Sequence, residues 1–209
     1  MRFLVNLLPQ LTTASNANAG DGSSTSNPGL GPNLSRVVSV LAAGQEAPLI
    51  MDDLSLKNNF SLRNCAKHTI TMTSLSMEEL AKAYPLTSFV HEYPSVVKTG
   101  IFRGLGPITR TAVNTLSFLA KPFFVPLDES GERHLYAATS PRFSPRGTKE
   151  ITDVAPGSDG EKGSGAYLLN WNGNDNGNGK PLQELRKNDA GNSVWKHTLE
   201  TFESICGKD

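Results

Sequence analysis

Apolar positions recur along the chain in two rhythms, one helical and one of short buried strands. Phe3, Leu4, Leu7, Leu8 and Leu11 fall at helical spacing, interrupted by Pro9, and read as the tail of a helix. Residues 14–35 are rich in Ser, Asn, Gly and Pro, a composition that cannot bury apolar surface and predicts a disordered insert. Residues 36–42 (RVVSVLA) form the β-branched run of a buried parallel strand. Leu62, Ala66, Thr69, Ile70, Thr73, Met77 and Leu80 mark one face of a long helix ended by Pro85. Residues 88–93 read as a second strand, stopped by Pro94. Strand, helix, strand is the rhythm of a parallel sheet.

Residues 107–125 are apolar again, but Arg110, Lys121 and two prolines argue against a membrane span and favour a packed or substrate-covering helix. A helix with an acidic start follows from Asp128 through Ala138, then a Pro/Gly-rich loop over 141–164. Residues 166–171 give a third strand and residues 172–179 an Asn/Gly turn region. The last helix carries Val194, Trp195, Thr198, Leu199, Phe202 and Ile205 on one face. The pattern predicts one α/β domain over residues 1–209, with about three parallel strands and flanking helices.

Composition narrows the function classes. The formal net charge is +0, which gives no basic surface for nucleic acid. With 19% charged and 37% hydrophobic residues, plus 19 Gly and 13 Pro, the chain reads as globular and diluted by loops. Cys65 and Cys206 stand far apart without metal-ligand spacing and read as reduced, partly buried thiols. The apolar residues 1–11 are too short to span a bilayer and no signal-cleavage pattern follows, so a cytoplasmic protein without a membrane partner is expected.

The string Thr99-Gly100-Ile101-Phe102-Arg103-Gly104-Leu105-Gly106 fits T-G-x-x-x-G-x-G, a glycine loop that can cradle a dinucleotide pyrophosphate. Bulky residues occupy its variable positions and Pro94 breaks the strand that should lead into it, so a glycine-containing surface loop is favoured. No G-x-x-x-x-G-K-[ST], H-E-x-x-H or C-x-x-C string occurs, and no metal site is expected. His68, His91, His134 and His197 read as surface or capping residues, and Glu78-Glu79 as solvated. Ser39 lies inside a strand without a G-x-S-x-G elbow.

Several segments together resemble the short-chain dehydrogenase/reductase family. Residues 36–44 (RVVSVLAAG) look like the strand that ends in that family's catalytic serine. The helix ending in SLSMEELA (74–81) resembles the one that follows its catalytic Tyr and Lys. Residues 89–99 (FVHEYPSVVKT) are similar to the next strand and its PGxVxT turn, and residues 165–205 to the last strand and helix of a fungal branch. The resemblance covers residues 1–11 and 36–209. It implies the C-terminal part of a Rossmann-like doubly wound sheet, with the N-terminal strands and the dinucleotide loop missing.

By that resemblance the chain is an oxidoreductase of fungal secondary metabolism, using NAD or NADP, acting on a hydrophobic small molecule and forming a homo-oligomer. In the family a Tyr moves the proton, a Lys four residues later lowers its pKa, and a Ser holds the substrate oxygen. Here Tyr84, Tyr93, Tyr136 and Tyr167 are followed four residues later by Ser88, Val97, Ser140 and Trp171. The Tyr position falls at Phe60 or Ser61, the Lys position at Asn64 or Cys65, and the Ser position at Leu41 or Ala42. No catalytic residue is therefore assigned. Thr99 alone matches a cofactor-contacting position, beside Ser95 where the family's turn has Gly. The alternative is a non-catalytic binding or assembly protein built on the substrate-side half of the fold.

Overall fold

The structure is a computed structural model, described here for residues 1–17, 35–97, 106, 124–146, 153–177 and 179–207. Three parallel strands form its sheet: β1 (Arg36–Val40), β2 (Ser88–Glu92) and β3 (Ala166–Leu169), in the order β1-β2-β3. Val38 pairs with Val90 and Val40 with Glu92 across β1 and β2, while Val90 pairs with Tyr167 and Glu92 with Leu169 across β2 and β3. Helix α1 (Arg2–Ala17) precedes the sheet, α2 (Leu62–Ala83) joins β1 to β2, and α3 (Leu127–Thr139) lies between β2 and β3. Helices α4 (Gly179–Lys187) and α5 (Ala190–Cys206) close the chain. The sheet with its flanking helices is part of a Rossmann-like fold.

Side chains alternate across a strand, so each strand serves two layers. Phe89 and Ala166 pack on Leu4 and Leu8 of α1 and on Met77, Leu80 and Ala81 of α2. Leu168 packs on Leu75 of α2, Leu182 and Leu185 of α4, and Val194 of α5. On the opposite face Val90, Tyr167 and Leu169 pack on Ala137 of α3, Phe143 and Ala155. Every residue of β2 is buried, as a central parallel strand requires, whereas β1 is only half-buried and has a strand on one side only among the described residues.

Arg36 anchors the start of β1. Its guanidinium donates to the carbonyls of Ala137 and Phe143, and its Nε to Ser88 Oγ at 3.2 Å. A cation there satisfies a carbonyl in the last turn of α3 and complements that helix's negative end. Burial lowers the Arg36 pKa to about 10, which leaves it charged at neutral pH.

Several expectations change. Helix α1 runs through Pro9 to Ala17, so residues 14–17 are helical instead of part of the insert, and residues 18–34 lie outside the described residues. Ser15 is drawn into the fold by hydrogen bonds to the carbonyls of Leu11 and Leu86. The face expected for α2 holds from Ile70 onward, but Leu62, Ala66 and Thr69 are exposed because the helix begins beyond the sheet. Helix α4 was not expected, since only Leu182 and Leu185 are buried along its polar sequence. The helix expected over 107–125 lies outside the described residues, apart from Phe124 and Val125. Cys65 is half-buried and Cys206 exposed; neither forms a disulfide.

Candidate functional site

In an open parallel sheet, ligands sit beyond the carboxyl ends of the strands, where loops diverge. At that end the loop after β1 folds down onto β2. Leu41 N–H donates to Glu92 O at 2.8 Å, and Ala42 N–H donates to His91 Nε2 at 3.2 Å. Since Nε2 receives a backbone N–H, the His91 proton resides on Nδ1, which lies 2.9 Å from Ser74 Oγ. Ser74 Oγ in turn donates to Glu46 Oε1 at 2.8 Å, and Glu46 Oε2 accepts Gly44 N–H at 3.0 Å. The chain of bonds from Ala42 through His91, Ser74 and Glu46 to Gly44 ties the loop to α2 and β2.

Burial pushes the His91 pKa down to about 4, so the imidazole is neutral at ordinary pH. A neutral ring suits a bridge that must accept on one nitrogen and donate on the other. His68, nearer the start of α2, has a similar role: its Nε2 accepts Ile50 N–H at 3.1 Å. Both histidines are buried, correcting the expectation of surface residues. Glu78 is also buried, against the expectation of a solvated side chain. Arg186 of α4 pairs with it through two hydrogen bonds, of 3.0 and 2.7 Å, and also donates to Ser158 O.

The loop after β3 meets the loop after β1. Asn176 Nδ2 donates to Ala43 O at 2.6 Å, and Gly44 has φ of +89° with a would-be Cβ 2.4 Å from the Asn176 backbone oxygen. Only glycine fits that contact. The Asn/Gly turn then closes on itself. Asn170 N–H donates to Asn174 O, Asn176 N–H to Leu168 O, and Gly177 N–H to Asp175 Oδ1.

Glu92 ends β2 on the other face of the sheet, beside Val40 and Leu169 in register. It is 0% exposed, and neither carboxyl oxygen has a hydrogen-bond partner among the described residues. Burial raises its pKa, opposed by the charge of His134 on α3.

The positions that resemble the family's proton relay are not assembled into one. Leu41 and Ala42 offer backbone groups already bonded to β2, without a side-chain hydroxyl. Phe60 is exposed, and Ser61 caps α2 by accepting Asn64 N–H at 3.1 Å. Asn64 and Cys65 occupy that helix's first turn. Thr99 and most of the glycine string lie outside the described residues. Ser95, at the family's glycine, adopts φ of +61°.

Sequence reasoning did not single out Glu46, Ser74, Glu92 or Asn176. Only Glu92 had a local signal, a carboxyl inside an apolar strand; the others meet through tertiary contacts. Among the described residues no group of three or more His, Cys, Asp or Glu is placed to hold a metal ion. No described helix is long and apolar enough to cross a membrane. The described Asn/Gly turn does not fit a dinucleotide. The Asn/Gly turn between β3 and α4, residues 170–177, uses its amides internally and presents no cradle to a pyrophosphate.

No family model matches the chain. Curated proteins do. The chain is 43% identical over 207 residues to Oxidoreductase AN1596 of Emericella nidulans, covering 95% of this chain and 57% of that protein. It is 37% identical to Oxidoreductase andH of Emericella variicolor, over 99% of this chain and 59% of that protein. Short-chain dehydrogenase/reductase SAT2 of Stachybotrys chartarum is 27% identical over 100% of this chain and 57% of its own length. The chain thus spans under two thirds of the relatives it matches. The chain is thus similar over nearly its whole length to fungal proteins named oxidoreductases, one of them a short-chain dehydrogenase/reductase, and its three-stranded parallel sheet is consistent with a divergent protein of that type.

Proposed function

We propose that the chain forms the substrate-side part of a fungal oxidoreductase of secondary metabolism, handling a hydrophobic small molecule, and that it does not turn over alone. One observation carries this reading. The loop after β1 is held by the His91–Ser74–Glu46 chain of bonds, yet the serine position within it is Leu41 or Ala42. The loop is fixed in place, while no side-chain hydroxyl stands at the position of the proton relay's serine. Relatives named as oxidoreductases support the activity class, and NAD or NADP is the cofactor such proteins imply.

In this reading the dinucleotide is held by strands that continue the sheet beyond β1, whose Val40 is 46% exposed. Titration of the chain with NADH and NADPH, followed by nicotinamide fluorescence, tests it. No saturable change is expected; saturable binding by this chain alone overturns the reading.

The half-buried β1 favours a second reading, a non-catalytic binding or assembly protein that pairs this edge with another subunit. Sedimentation of a homo-oligomer together with no turnover would support it, and a monomer would count against it.

A further inference from the structure

One side chain fastens the loop after β1 to the turn after β3. Asn176 donates its Nδ2–H to Ala43 O at 2.6 Å and its backbone N–H to Leu168 O at 2.8 Å. The fit is close, because a Cβ on Gly44 would collide with both Nδ2 and the backbone oxygen of Asn176. The path of the loop therefore depends on an amide donor at position 176.

That amide is also the chemically weakest point of the turn. Gly177 follows Asn176, and a glycine has no side chain to shield the Asn176 Cγ from the backbone nitrogen of residue 177. The Gly177 N–H donates to Asp175 Oδ1 at 3.2 Å, and Gly177 and Asp175 are both exposed, so water reaches them. A carboxylate within hydrogen-bond reach of the proton it would take is the geometry of general-base catalysis.

Asn172-Gly173 has the same sequence and lacks these features. Gly173 N–H donates to the carbonyl of Asn170 at 2.8 Å, which is no base, and Gly173 is buried against Tyr136. Asn172 Oδ1 is engaged by Asn174 N–H at 3.1 Å. Asn178, before Gly179, lies outside the described residues.

We infer that Asn176 is a self-modification site, at which attack by the Gly177 nitrogen removes the side-chain amide and unfastens the loop after β1. Gly177 N bonds to Asn176 Cγ while its proton passes to Asp175. The Cγ–Nδ2 bond then breaks, and the nitrogen takes that proton and leaves as ammonia. Water, the sole co-reactant, opens the resulting cyclic imide to aspartate or isoaspartate. Either product sets a carboxylate, with no hydrogen to donate, against Ala43 O. The new charge adjoins a loop that already holds the Glu46 carboxylate on Gly44 N–H. Isoaspartate also inserts a methylene into the backbone of the turn.

Ageing the full chain in warm neutral buffer tests this, with conversion located by peptide mass spectrometry and electron-transfer fragmentation. Asn176 should convert well before Asn172. Asp175→Asn keeps an oxygen at the contact without its basicity and should slow conversion at least about tenfold. Gly177→Ala should slow it as well, and its Cβ meets Asp175 Oδ1 and Leu168 Cδ1 at an ordinary 3.5 Å, so the turn accepts it. Hydrogen exchange reads the consequence. Amides of residues 41–46 should exchange at least about tenfold faster in Asn176→Asp, with β2 unchanged. Aged chain separated by anion exchange gives the same comparison without a substitution. The proposal is overturned if Asn176 stays intact or converts no faster than Asn172, or if Asp175→Asn converts at the parent rate. Unchanged exchange of residues 41–46 in the aged chain overturns it too. None of these measurements depends on turnover or cofactor binding, so they stand apart from the proposed function.

Discussion

His91 and Glu92 are neighbours on β2, equally buried, and they face opposite layers of the molecule. His91 looks toward α2 and lies in a closed chain of hydrogen bonds that runs to Glu46 and Gly44. Glu92 looks toward the α3 layer and has no partner among the described residues. Ser144 Oγ, in the α3 layer, is likewise buried and unbonded, as are Arg142 Nε and, beside the Arg186–Glu78 pair, Ser158 Oγ. Buried polar groups are ordinarily satisfied, and the exceptions mark places where the structure serves something other than its own stability. The α2 face around His91 is built for rigidity, and the α3 face near Glu92 retains an unmet demand.

If that contrast is right, damage to the α2 face should cost most. Arg186→Ala leaves Glu78 as a buried carboxylate without its bidentate partner. Breaking such a pair costs about 3–5 kcal/mol, which urea denaturation of the variant and the parent chain would measure. A loss under about 1 kcal/mol would mean that Glu78 behaves as a surface charge.

The next effect is a pH dependence. His91 has a folded pKa of about 4 against an ordinary 6.5. Between those values the unfolded chain binds a proton that the folded one does not. Stability from this group is therefore complete above pH 6.5 and is lost as pH falls through 4, by about 3 kcal/mol in all. A proton on Nε2 would also confront Ala42 N–H and release the loop after β1. Urea midpoints measured from pH 7 to 4 should show this slope, and His91→Leu should flatten it.

Glu92 gives the opposite sign. Its folded pKa is raised, so its contribution is present below the ordinary carboxyl value and lost as pH rises. Glu92→Leu should stabilise the chain by about 1–3 kcal/mol at pH 7, the usual cost of an unsatisfied buried polar group. Destabilisation in the same urea assay would mean that the carboxyl is satisfied and that the two faces do not differ in this way.

How much of this was legible in the sequence depends on how local each signal is. Strands β1 and β2 could be read because Val37, Val38, Val40, Phe89 and Val90 are β-branched or aromatic and closely spaced. Helix α5 declared itself through its apolar face, whereas α4 hid behind Lys180, Gln183, Glu184, Arg186 and Lys187. The bonds of His91 could not be read. Glu46, Ser74 and His91 lie on a loop, a helix and a strand, and nothing in their spacing announces that they meet. The Asp53 turn shows the same limit. Its carboxylate accepts the N–H groups of Lys57, Asn58 and Asn59. Burial pushes its pKa up, but those donors outweigh it and hold it at about 2.

The smallest expected effect lies just beyond the pair, where the chain leaves β2. Ser95 holds φ of +61°, a left-handed conformation that its Cβ disfavours, at the position where the resembled turn has glycine. Ser95→Gly removes that clash but gives the unfolded chain more freedom, so the two effects partly cancel. The folded-state relief is the larger, about 1–2 kcal/mol per left-handed residue. A net stabilisation of about 0.5–1 kcal/mol should remain in urea denaturation. Ser95→Ala supplies the control, since it keeps the Cβ and the strain while deleting the hydroxyl. If alanine stabilises as much as glycine, the hydroxyl and not the backbone is the source of strain. If glycine alone stabilises, the exit from β2 is strained in the backbone, within three residues of the unsatisfied carboxyl. Both departures from ideal structure would then lie at the carboxyl end of the central strand, where ligands of parallel sheets bind.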